Sequence, residues 1–152
     1  MKIVTSLSFP GTCGEAFDFY AEVLGGEITA RQPYGEGFPG MPTPPQIRDW
    51  LMHCWLQVGD QAIMGSDMHS DWASRINEPK NGFDVTFHTE DRAEGQRVFD
   101  ALSEGGTVAM AFGETFFSPG FGSLTDRFGI PWMVNIAPTA DWRPAHLRGD
   151  AG

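Results

Sequence analysis

The sequence predicts an α+β chain built from two copies of one strand–helix–strand–strand–strand module. Three observations carry that reading. Two amphipathic stretches each open on a capping-box pattern and close on a Gly-Gly pair. Their landmarks share one frame, because adding 79 to Thr12, Glu15 and Tyr20 reaches Asp91, Glu94 and Phe99. A cap, its box partner and a core aromatic at one period mark an internal repeat. Alternating β-branched segments flank both helices in the same order.

Residues 2–9 alternate and carry β-branched side chains, which reads as a first strand. Thr12-Cys13-Gly14-Glu15 then places a hydroxyl at the cap and a glutamate three residues on, the pairing that satisfies two orphan amides. Ala16, Phe19, Tyr20, Val23 and Leu24 recur behind it at helical spacing, and Gly25-Gly26 ends the run. A strand over 27–33 and a hairpin of 51–58 and 61–67 about Gly59-Asp60 complete module one, residues 1–67.

Module two, about 82–137, repeats the order. A strand over 83–88 leads to a helix capped by Asp91, with Gly95, Val98, Phe99 and Leu102 as its apolar face and Gly105-Gly106 as its stop. Strands follow at 107–112, 121–125 and 131–137, with a weaker one around 115–118. Asp126-Arg127-Phe128-Gly129 turns into the last strand, and Pro131 sits at its first residues, where a missing N–H costs little. The loops 34–50 and 68–81 have the length that usually serves function or motion. Residues 1–137 are read as one domain, and 138–152, which lack periodicity, as a poorly ordered tail.

With 152 residues the chain is long enough to bury a core without staples. Its net charge of −10, with no basic run, excludes nucleic acid and acidic membrane as partners. MKIVTSLSF is too short and polar for a signal peptide, and no apolar stretch reaches membrane length. Cys13 and Cys54 read as reduced thiols, so a cytoplasmic location is expected. The 12 Phe and 5 Trp suit a ligand cavity as well as an ordinary aromatic core.

Glu114 stands between a glycine and Thr115-Phe116-Phe117. Desolvation beside aromatic rings raises a carboxyl pKa toward values useful for acid–base work, which makes Glu114 the first catalytic candidate. His53 is the second. It shares a strand parity with Trp55 and Gln57, while Cys54, Leu56 and Val58 take the other. The His53 parity suits a cavity wall with a few directed polar groups, and suits the outer face of a sheet equally. Trp50, Trp55, Phe117, Phe121 and Trp132 either line a site that stacks a flat ligand or fill the core. Cys13 lies in a first helical turn, where the dipole lowers a thiol pKa, but has no visible base and reads as structural.

The helix EAFDFYAEVLGGEI in a duplicated βαβββ frame resembles the vicinal oxygen chelate superfamily, which includes glyoxalase I, extradiol dioxygenases and bleomycin-resistance proteins. SFPGTCGEAFDFYAEVLGGEI, AIMGSDM and ETFFSPGFGSLTDRFGIPWMVN look like its PhnB-like (YjdN-like) branch, and the resemblance runs to Ala137. It implies sheets curved into a half-barrel around a cavity, often in a homodimer. Members of this branch carry a label as methyltransferases acting on a demethylated ubiquinone. The sequence lends that label no support. Pro10-Gly11-Thr12-Cys13-Gly14 is shorter than a glycine-rich loop for S-adenosylmethionine and lacks the ribose-binding acid.

In metal-dependent relatives, His and Glu project into the cavity from the first and last strands of each module. A divalent ion needs three or four N or O ligands converging at about 2 Å. Here Phe83 and Met133 stand where a histidine and the glutamate belong, and the first strand offers Thr5, Ser6 and Ser8. A displaced site would have to draw on His53, Asp67, Asp84, His88 and Glu114. The expectation is a small-molecule-binding protein, homodimeric, with no cofactor. Its apolar or aromatic ligand would meet Trp55, Ser66, Phe117, Phe121, Trp132 and Asn135. The alternative is a metal-dependent lyase, isomerase or dioxygenase of the glyoxalase type, with a divalent metal at a displaced site or Glu114 and His53 carrying the chemistry.

Overall fold

The computed structural model describes residues 1–37, 39–40 and 42–149. The chain divides into two compact units, Met1–Pro79 and Lys80–Gly152. In the first, β1 (Thr5–Phe9), α1 (Cys13–Leu24), β2 (Glu27–Pro33), β3 (Leu51–Val58) and β4 (Gln61–Asp67) follow one another. The strands form one sheet in the order β1-β4-β3-β2, with β1 and β4 parallel and the other pairs antiparallel. The second unit repeats it with β5 (Val85–Thr89), α2 (Arg92–Ser103), β6 (Thr107–Gly113), β7 (Phe121–Thr125) and β8 (Pro131–Ile136). Its order is β5-β8-β7-β6, with β5 and β8 parallel. The α+β class and the duplicated βαβββ order are therefore as the sequence predicts.

Each helix covers one face of its own sheet. Cys13, Ala16, Phe17, Tyr20 and Val23 are buried on α1, and Leu7, Phe9, Cys54 and Leu56 are buried on the strands below. Phe17 meets Phe9 edge-on at 6.2 Å between ring centroids. The helix approaches so closely that a Cβ at Gly65 would stand 2.5 Å from the Phe17 ring. In the second unit Val98, Phe99 and Leu102 pack over a floor of Leu124, Trp132, Val134 and Ile136. Side chains alternate along strands, so His53, Trp55, Met133 and Asn135 belong to faces turned away from the helices.

Several local expectations are corrected. Thr12 makes no side-chain cap bond. Asp67, at the end of β4, accepts from Gly11 N–H and Cys13 N–H at 2.9 Å instead, so a distant carboxylate stands where the hydroxyl was expected. Asp91 does cap α2, accepting from Ala93 and Glu94 N–H, but Glu94 turns to Arg97 rather than back to the cap. The buried stripe of α1 runs through Cys13 and Phe17, leaving Phe19 and Leu24 half-buried. β1 and β5 start at Thr5 and Val85, later than expected.

No strand forms at 115–118. Thr115 N–H donates to Ser118 C=O, and the buried Ser118 hydroxyl is 2.8 and 2.9 Å from the carbonyls of Gly120 and Ile136. That turn pins the β6–β7 connection to β8. The tail is more ordered than its composition suggests. Ala145–Leu147 forms a short 3-10 turn, and Glu114 accepts from Ala145 N–H at 2.9 Å and from Arg148. Residues 150–152 of the expected tail lie outside the described residues.

Candidate functional site

In the first unit, the sheet face away from α1 collects small polar groups around one indole. The register sets Ser6 beside Met64, Ser8 beside Ser66, and Trp55 across from Met64. The His53 ring lies 6.4 Å from the Trp55 ring. Trp55 Nε1–H donates to Gln57 Oε1 at 3.1 Å, and Lys2 Nζ stands 5.8 Å from the ring centroid. Cys54 and Leu56 are buried beneath the helix, so His53, Trp55 and Gln57 occupy the opposite face, half-buried. Three sequence candidates, His53, Trp55 and Ser66, thus share one surface.

The corresponding face of the second sheet is organised around Asn135. Strand register places it beside His88 on β5 and Phe121 on β7, with Met133 beside Thr86 and Ser123. Asn135 Nδ2 lies 3.0 Å from His88 Nδ1. Among the described residues, Asn135 Oδ1 is buried without a hydrogen-bond partner. Rotating the carboxamide by half a turn would exchange the two atoms, and one would still lack a partner. An unpaired buried polar atom costs about 1–3 kcal/mol and calls for an explanation. Phe117 packs edge-on against Phe121 at 5.2 Å, so two aromatic candidates adjoin the amide.

Three candidates fall elsewhere. Trp132 is on the helix side of β8, 1 % exposed, and its Nε1–H donates to Asp126 Oδ2 at 2.9 Å. It is a core residue rather than a ligand contact. Glu114 ion-pairs with Arg148 at 3.0 Å. The Arg148 hydrogen bond holds the Glu114 carboxyl below its ordinary value, the reverse of the expected rise. At neutral pH such a carboxylate is poorly matched to acid–base work. Cys13 is buried against Cys54, and that contact together with burial pushes the Cys13 thiol up.

Within neither unit do the described residues assemble a displaced metal set. Among the described residues, no three His, Cys, Asp or Glu side chains converge to hold an ion. Asp67 is 1 % exposed and accepts three backbone bonds, from Gly11, Cys13 and Leu51. Burial raises its pKa while those amides pull it down. Within either unit, the described residues do not fit the metal that glyoxalase-type chemistry uses. The sequence offers His88 as a displaced metal ligand or a satisfied core or rim histidine, and does not show it as the partner of Asn135. The signal was available: a strand before the helix pairs in parallel with the last strand of its module, which sets residue 88 beside 135.

Paired βαβββ units of this kind define the glyoxalase/bleomycin resistance/dioxygenase fold class. A domain of that description from Frankia sp. EAN1pec matches at a TM-score of 0.58 and 13% identity, covering 90% of this chain and 97% of its own, which shows the fold alone. Residues 1–135 match the model of the family described as 3-demethylubiquinone-9 3-methyltransferase, and the chain belongs to that family, the PhnB-like branch of the vicinal oxygen chelate superfamily. It is 35% identical to Protein YjdN of Escherichia coli (strain K12) over 146 residues, 90% of this chain and 95% of that one. The crystal structure of PA1353 from Pseudomonas aeruginosa is 41% identical with a TM-score of 0.78, covering 90% and 97% of the two chains.

Proposed function

We propose that this protein binds a small apolar or aromatic molecule bearing one hydrogen-bond donor, without a catalytic metal, on the second sheet's face away from α2. The observation that carries the reading is the Asn135 carboxamide, steadied by His88 and holding a buried atom without a partner. An O–H or N–H of the ligand would donate to Oδ1, while Phe117, Phe121 and Met133 meet its body. Ligand sites commonly combine an apolar lining with a few directed polar groups. The Trp55, His53 and Ser66 surface of the first sheet is, in this reading, a separate contact area of its own unit.

The methyl donor implied by the family description finds no cradle at the helix N-termini. The Gly11 and Cys13 amides donate to Asp67, and the Ala93 and Glu94 amides to Asp91, where a glycine-rich loop would present such groups to a cofactor. The protein acts as a homodimer in this reading, and a monomer by size-exclusion chromatography with light scattering rejects that part.

A thermal-shift screen of small aromatic alcohols and amines against their methylated counterparts tests the site. Stabilising compounds should be those that keep a donor, and Asn135→Leu should abolish their effect. Hits indifferent to that substitution reject the site.

A further inference from the structure

The two long loops of the first unit enclose a cleft that the Asn135 reading does not use. It has a volume of about 320 Å³ and is lined by Tyr34, Pro42, Thr43, Pro44, Ile47 and Trp72. That volume reaches the lower end of ligand pockets, about 300–1,000 Å³. The lining belongs to two separate loops, which four rings tie together. Tyr34 lies 6.2 Å from Trp72, Trp72 is 5.3 Å from His69, and His69 is 5.8 Å from Trp50.

The rings at the cleft are anchored. The Tyr34 hydroxyl donates to the Asp67 carbonyl at 2.8 Å, and Trp72 Nε1–H meets the Met68 sulfur at 3.4 Å. Trp72 and Ala73 N–H both donate to the His69 carbonyl, closing one tight turn beneath the indole. Trp72 nonetheless keeps 51 % of its surface exposed, unusually much for so large an apolar side chain. Its indole is held in place but not covered.

Charge narrows the class of ligand. No side chain lining the cleft carries a full charge at neutral pH. Glu36 and Asp71 flank the two ring-bearing turns, while Arg48 packs beside Gly35 and Arg75 pairs with Glu78 at 2.7 Å. Met1–Pro79 holds ten Asp and Glu against four Lys and Arg, a net of −6. Electron-rich ring faces in a negative field attract cations, and quaternary ammonium groups above all, because they shed water easily.

We propose that the Tyr34–Trp72 cleft is a binding site for a small organic cation of the quaternary ammonium type, distinct from the Asn135 surface. The site is sequence-local to the first unit and needs no metal.

Choline and 3,3-dimethylbutan-1-ol make the discriminating pair, since they differ only in the charged nitrogen. In calorimetric titrations of the full chain, choline should bind saturably and about five-fold or more tightly than the neutral alcohol. Trp72→Ala should abolish choline binding, Trp72→Phe should restore part of it, and Asn135→Leu should leave it unchanged. The wild-type Trp72 indole N–H resonance should move on choline addition, a readout that needs no variant. Equal affinity for the two compounds, absence of saturable choline binding, or full binding by Trp72→Ala overturns the proposal. Loss of choline binding in Asn135→Leu also overturns it, by merging the two sites.

Discussion

Asp67 and Asn135 both stand near the ends of the last strands of their sheets, but on opposite faces: Asp67 turns toward α1 and Asn135 away from α2. Asp67 satisfies Gly11, Cys13 and Leu51 N–H with its two oxygens. Asp67→Asn would set an amide NH2 against an amide donor in a buried position, costing on the order of 2–3 kcal/mol in urea unfolding. An unchanged midpoint contradicts that role. Asn135 holds an unsatisfied atom, so Asn135→Leu should leave the unliganded protein as stable as the wild type or about 1 kcal/mol more so. A clear loss of stability would mean the amide serves the fold. Glu114 gives the pH dependence. Its folded pKa is lowered by Arg148, so its contribution is present above the ordinary carboxylate value and lost as pH falls through the lowered one. The protection of the Ala145 amide, taken relative to its intrinsic exchange rate at each pH, should therefore fall in that acid window, and Arg148→Ala should move the midpoint upward. Trp132 shows what residue-level reading can misjudge: it shares a face of β8 with the buried Val134, yet its chemistry made it look like a ligand contact.

At the scale of elements, helix boundaries follow from local chemistry and helix caps do not always. Gly25 adopts φ 68° and ends α1 as a left-handed glycine should, and Gly105 does the same beyond α2 at φ 73°. Asp91 caps α2 through neighbours two and three residues away, which is visible in sequence. The α1 amides find Asp67, more than fifty residues on, and no local pattern announces that. Asp91→Ala should accordingly cost about 1 kcal/mol, whereas Thr12→Ala should change stability by less than about 0.5 kcal/mol. Equal losses in chemical denaturation would restore the capping box at Thr12. The 115–118 segment misled for a related reason: its aromatic residues favour a strand, but the Ser118 hydroxyl ties it to β8 as a turn.

For the whole molecule, the duplicated frame made the fold legible, because two imperfect modules with a shared period support each other where either alone would be ambiguous. The candidate site was half legible. Parity separated His53 and Trp55 from Cys54 and Leu56 without saying which side met a ligand. Folding sets His53, Trp55, Ser66, Phe121 and Asn135 on the faces away from the helices, while Glu114 and Trp132 are drawn elsewhere by Arg148 and Asp126, partners that only folding supplies. Ligand binding without a catalytic metal is the central claim, and metal content is its most direct measure. Protein purified without chelator should hold far less than one equivalent of zinc, nickel, manganese or iron. Stoichiometric metal that disappears in His53→Ala or His88→Ala would contradict the account.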